Sequence, residues 1–141
     1  MTLEGTQIIA GQLSASGTDR AQAVSPVTGR PLPTSFAQAT PDEVDAAARA
    51  AADAWSAYRR LNPSRRAQFL RRIAEEIEAL GDALIERCHL ETGLPAGRLE
   101  GERSRTCNQL RLFADVIEEG SWVDARITTP LPDRSPSPRP D

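Results

Sequence analysis

Three side chains able to do chemistry fall close together in this chain: Arg103, Arg105 and Cys107. A guanidinium forms paired hydrogen bonds with a carboxylate, so two of them suit a substrate that carries one. A thiol one helical turn from Arg103 and two residues from Arg105 would ionise more readily than a free cysteine, since a nearby cation favours the thiolate. Each residue also has a purely structural role open to it. The arginines have Glu100 and Glu102 beside them and Glu91 across the preceding loop as internal partners. A cysteine in mid-helix serves as a small hydrophobe. Arg105 is the candidate substrate-binding residue; it lies off the apolar stripe that runs from Leu99 to Phe113.

Other chemistries are missing. His89 is the sole histidine and sits beside Cys88, with no GxSxG turn for a hydrolase and no second histidine or CxxC for a metal. It reads as a partly exposed structural residue next to a buried cysteine. All 17 basic residues are arginine, which removes the Walker lysine, the Schiff-base lysine and the lysine general base. No GxGxxG follows a strand, so there is no dinucleotide fingerprint. No catalytic residue, cofactor-binding residue or metal ligand is assigned. A net charge of −3 and a pI near 5.3 argue against nucleic acid as a partner. The apolar runs are shorter than a membrane span, and no signal peptide is evident, so the expectation is a soluble cytoplasmic chain with two reduced thiols.

The elements that must position these groups are legible from caps and periodicity. Residues 1–38 read as short strands and turns: QIIAGQL at 7–13 suits two strands about a turn at Gly11. Further strands are expected over 19–24 and 33–37, with SPVTGR at 25–30 as a turn. Residues 39–122 hold four amphipathic helices. Thr40-Pro41-Asp42-Glu43 is a capping box that starts the first, which places Val44, Ala47, Ala51, Ala54 and Tyr58 along one side. Asn62-Pro63 starts the second, with Phe69, Leu70, Ile73, Ile77 and Leu80 as its buried stripe. Gly81 separates a third helix that Gly93 ends. Pro95 occupies the first position of the fourth, a rod of about 37 Å at 1.5 Å per residue. Leu99, Thr106, Leu110, Phe113 and Ile117 line one face of that rod, with Arg103 among them. Gly93, Gly97 and Gly101 predict close packing, or a frayed first turn, at its start. Residues 123–141 form an extended proline-rich tail. The fold class is α+β, mainly helical after short N-terminal strands.

The succession of segments resembles the aldehyde dehydrogenase superfamily. SPVTGR at 25–30 is similar to its early NPATGE turn, and ATPDEVDAAARAAADAW at 39–55 to its alanine-rich first helix. RRAQFLRRIAEEIEALGDALIERCHLETGLP at 65–95 resembles its second and third helices and the loop after them, with Leu94 where lysine is usual. LEGERSRTCNQLRLFADVIEEGSWVDARI at 99–127, followed by LPDR, looks like the branch of 2-oxoglutarate semialdehyde (2,5-dioxopentanoate) dehydrogenases. The resemblance implies oxidation of a small-molecule aldehyde to its acid with NAD or NADP, by a cysteine nucleophile, a glutamate that activates water and an oxyanion site. None of those residues matches a position in this chain. It therefore implies the N-terminal part of such an enzyme: a fragment of its α/β fold and cofactor domain, inactive and cofactor-free alone, homo-oligomeric when complete. In the family the rod helix borders the substrate tunnel, which makes Arg105 a contact for a dicarboxylic semialdehyde.

A different reading is a self-standing helical interaction module whose proline-rich tail docks on an aromatic groove. Few large side chains are available to build a core, namely Phe36, Trp55, Tyr58, Phe69, Phe113 and Trp122. Marginal stability in isolation follows from that shortage.

Overall fold

Thr40 opens the first helix as its sequence demands. Its hydroxyl accepts from the Glu43 N–H at 3.2 Å, while the Glu43 carboxylate accepts from the Thr40 N–H at 2.9 Å. This reciprocal box satisfies two donors that a helix start leaves orphaned. The computed structural model describes residues 3–126 and 128–136; the end of the proline-rich tail, 137–141, lies outside them, as does position 127. The elements are β1 (Gln7–Ile9), β2 (Gln12–Ser14), β3 (Arg20–Val24), β4 (Pro31–Ala37), α1 (Pro41–Tyr58), α2 (Pro63–Ala79), α3 (Gly81–Thr92) and α4 (Ala96–Glu119). A single 3-10 turn, Ser121–Val123, follows.

The strands make two separate antiparallel hairpins. In the first, Ile8 faces Leu13 across a two-residue turn at Ala10 and Gly11, both with positive φ, the conformation that matches strand twist in tight hairpins. In the second, Arg20 faces Ala37, and a bulge between Gln22 and Val24 shifts the register. Its SPVTGR connection closes on itself: the Gly29 N–H donates to the Ser25 carbonyl at 2.8 Å and the Thr28 N–H to the Ser25 hydroxyl at 3.3 Å. β4 is two residues longer at its start than the sequence suggested, because Pro31 pairs with Val24.

Glu43 ties the first hairpin to α1. The carboxylate oxygen not used by the Thr40 N–H accepts from the Ser16 N–H at 2.9 Å and from the Ser14 hydroxyl. The residue is buried, and these donors, Ser14 first, hold its pKa at about 2 against an ordinary 4.5. Along the rest of α1 the expected stripe finds little cover. Val44 and Trp55 are exposed, and Glu43 is the helix's one buried residue.

The main helix contact is α2 against α4, antiparallel, since Arg71 meets Glu118, Glu78 meets Arg111 and the Gly81 carbonyl meets Arg103. Its centre differs from the stripes drawn from sequence. Ala67 and Ala74 on α2 and Cys107 and Ala114 on α4 are fully buried. Phe69, Leu80 and Phe113 are exposed, and Leu70, Ile73 and Ile77 only half-buried. At 100° per residue the Leu99–Ile117 stripe is displaced roughly 80° from the Cys107–Ala114 seam. The reason is steric: helices come closest where side chains are smallest, so alanine and cysteine occupy the seam and the larger residues splay to its flanks.

α3 adds Ile85 to the core and ends at Gly93, whose φ of 71° a residue with Cβ adopts only at a cost. Pro95 stands at the N-cap of α4 rather than at its first helical position. The close packing expected at three glycines is found at one. A Cβ on Gly93 would meet Val27 at 3.3 Å, whereas Gly97 and Gly101 face open space.

Two outcomes test this architecture. Ala74→Leu should overpack the seam and cost about 1–3 kcal/mol, read as a lower denaturant midpoint of the helical circular dichroism; an unchanged midpoint would mean the helices are not in close contact there. Glu43 titrates lower folded than unfolded, so its contribution is complete above about 4.5 and is lost as pH falls towards about 2. The Ser16 amide resonance should stay put at pH 4.5 and move as pH approaches about 2, and in the Glu43→Gln variant it should not.

Candidate functional site

The α4 segment from Gly101 to Ile117 carries the candidate residues, and the fold sends them to different faces. Cys107 goes inward. Its Sγ is fully buried and donates to the Ala74 carbonyl at 3.6 Å. A thiol placed so has neither the exposure nor the access of a nucleophile, and its neighbouring arginines point elsewhere. Arg103 is half-buried and donates from Nη1 to the Gly81 carbonyl at 3.0 Å. The carboxylate pair expected for it is not formed; Glu91 pairs with Arg87 instead. Arg103 thereby ties α4 to the first residue of α3, at the junction with α2.

Arg105 goes outward. Its side chain is 74% exposed and is held by Glu102, with Nε at 2.9 Å and Nη2 at 2.7 Å from one carboxylate oxygen. That pairing lowers the Glu102 pKa. Both bonds use the same edge of the guanidinium, so Nη1 is left out of the pair. Around Arg105 lies a shallow hollow of about 560 Å³ lined by Gly101, Ser104, Asn108, Gln109 and Leu112. On this face the polar groups converge and the glycine backbone is open to approach.

A second concavity borders the first. Leu70 of α2, Tyr58 at the end of α1, and Thr106, Leu110, Phe113 and Ile117 of α4 line a cleft of about 480 Å³, with Arg105 and Gln109 at its rim. The α4 residues share one face, as their spacing predicts, and that face flanks the seam instead of forming it. The signal that would have separated seam from groove was present: small residues stand seven apart on each helix, Ala67 with Ala74 and Cys107 with Ala114. The other flank of the seam is charged. Arg71 donates to Asp115 at 2.7 Å and Glu118 at 2.6 Å, and Arg111 grips Glu78 with both terminal nitrogens at 2.8 and 2.6 Å. These contacts raise the pKa of both arginines and lower those of Glu78 and Glu118.

The remaining candidates are structural. His89 is exposed, and its Nδ1 lies 2.7 Å from the Leu94 carbonyl, bracing the loop between α3 and α4. Cys88 beside it is half-buried rather than buried. Among the described residues no three metal-ligating side chains gather, and no helix is long and apolar enough to cross a membrane. Both described sheets are antiparallel hairpins, so no parallel strand leads into a glycine-rich turn and helix.

Comparison with known proteins gives a consistent result. The model of the aldehyde dehydrogenase family matches residues 13–132. The alpha-ketoglutaric semialdehyde dehydrogenase 2 of Azospirillum brasilense is 46% identical over 142 residues, covering all of this chain and 27% of that protein. The alpha-ketoglutaric semialdehyde dehydrogenase of Acinetobacter baylyi is 44% identical over 137 residues, covering 97% of this chain and 26% of its own length. Among solved structures, an NAD-dependent benzaldehyde dehydrogenase from Corynebacterium glutamicum superposes with a TM-score of 0.74 at 20% identity, over 94% of this chain and 28% of that one. The chain thus spans about a quarter of the length of the relatives it matches.

The two thiols should separate in reactivity. An aromatic disulfide reagent is expected to titrate Cys88 in the folded chain and Cys107 only after denaturant is added. Equal rates for both in the native state would contradict the burial of the seam.

Proposed function

The chain belongs to the aldehyde dehydrogenase family, and on that premise we propose that it is the N-terminal portion of an NAD- or NADP-dependent enzyme that oxidises 2-oxoglutarate semialdehyde to the dicarboxylic acid. The observation that carries this reading is 46% identity sustained along the whole chain with a semialdehyde dehydrogenase of which it covers 27%. Its helices would flank the cofactor domain, while the nucleophile, the water-activating glutamate and the cofactor cradle would come from the rest of the protein. Alone it would bind no cofactor and catalyse nothing; complete, it would work in the cytoplasm as a homo-oligomer. The interaction-module reading finds no support in these relatives, and part of its docking tail lies outside the described residues.

Arg105 is the residue proposed to meet substrate. A semialdehyde of this class presents a carboxylate far from its aldehyde, and a guanidinium with one edge already fixed by Glu102 offers Nη1 without having to be ordered first. The open backbone at Gly97 and Gly101 gives such a ligand room along α4.

The test is a hybrid enzyme in which this chain replaces the aligned segment of the Azospirillum brasilense protein. The hybrid should oxidise 2-oxoglutarate semialdehyde. Arg105→Ala in it should raise KM for that substrate about 10- to 100-fold, the worth of one charge-assisted hydrogen bond, while kcat and the KM for aldehydes without a carboxylate stay as they were. An unchanged KM for the semialdehyde would remove Arg105 from the site.

A further inference from the structure

The two flanks of the α2–α4 seam have opposite chemistry. One is closed by Arg71 with Asp115 and Glu118, and by Arg111 with Glu78, all of them content in water. The other opens into the 480 Å³ groove of Leu70, Leu110, Phe113 and Ile117, where Phe113 stays 52% exposed. The apolar surface continues beyond the groove. Tyr58 stacks edge-on against Phe69 at 5.9 Å and lies 6.4 Å from Trp55, and those two outer rings are themselves more than half exposed. A contiguous patch of aromatic and aliphatic side chains on one side of a small chain marks a surface made to be covered.

We propose that this groove is the seat for an apolar surface contributed by the remainder of the dehydrogenase, with Phe113 as the central anchor; this rests on the functional reading above. Two observations select that occupant. The relatives matched along the full chain carry nearly three further lengths of polypeptide, so a covering body exists in those proteins. The groove is also walled chiefly by apolar side chains, Leu70, Leu110, Phe113 and Ile117, with its one lining cation, Arg105, at the rim beside Glu102. Aliphatic or aromatic side chains, not carboxylates, complement it. The substrate-facing hollow on the far side of Arg105 stays open when the groove is filled, since its floor is Gly101, Ser104 and Asn108.

Phe113→Asp, made both in this chain and in the hybrid enzyme, tests the assignment. In the isolated chain the side chain is half in water, so helical content and the unfolding midpoint should hold. In the hybrid the same change should lower Tm by at least about 2–4 °C and reduce soluble yield, and Phe113→Leu should restore both. A hybrid whose Tm is indifferent to Phe113→Asp overturns the proposal, as does an isolated chain destabilised as much as the hybrid. If the unsubstituted hybrid folds but fails to oxidise the semialdehyde, the functional reading falls while the docking surface is still judged by Tm. A hybrid that does not fold at all counts against both.

Discussion

Close approach of α2 and α4 is the constraint from which most of this structure follows. Four small residues, Ala67, Ala74, Cys107 and Ala114, let the two backbones meet without intervening bulk. Once that line is fixed, every other side chain on the two helices has its place. Residues just to one side become ion-paired, those just to the other become a groove, and those opposite, Arg105 among them, are left to the surface. The position of Cys107 in the seam also decides its chemistry, since a thiol bonded to a buried carbonyl and shut away from water is a packing group.

The seam supplies contact but little buried area. Alanine contributes few apolar atoms, and the large side chains that could have added to the core are mostly outside it. Trp55, Phe69, Phe113 and Trp122 are each more than half exposed. Hydrophobic stabilisation scales with area removed from water, so a fold arranged in this way gains little from its largest residues until another surface covers them. Relatives about four times as long are consistent with such a surface. Polar links compensate in part. Glu43 alone joins the first hairpin, the linker at Ser16 and the start of α1, and Arg103 joins α4 to the break before α3.

Arg105 and Arg103 show how two similar side chains two residues apart come to different ends. At 100° per residue they differ by about 200° in direction, so one reaches back over the α2–α3 junction and the other faces outward. The inward arginine bonds the backbone carbonyl of Gly81, at the start of α3. The outward one is fixed by the carboxylate three residues before it, an arrangement available within a single helix.

What the residues alone determined were the ends of the elements and the family. Thr40-Pro41-Asp42-Glu43, Asn62-Pro63 and Gly93 act through backbone geometry and capping bonds that involve a few neighbouring residues, and so can be read without knowing the fold. Periodicity likewise grouped Leu110, Phe113 and Ile117 correctly on one side of α4. The tertiary structure decided which side of each helix lies innermost, which carbonyl Arg103 would serve, and that two of three spaced glycines would face open space. Those outcomes depend on how near one backbone comes to another, which is set by the smallest side chains on both partners at once. A hydrophobic stripe marks residues that avoid water; it does not say which of them another helix will touch.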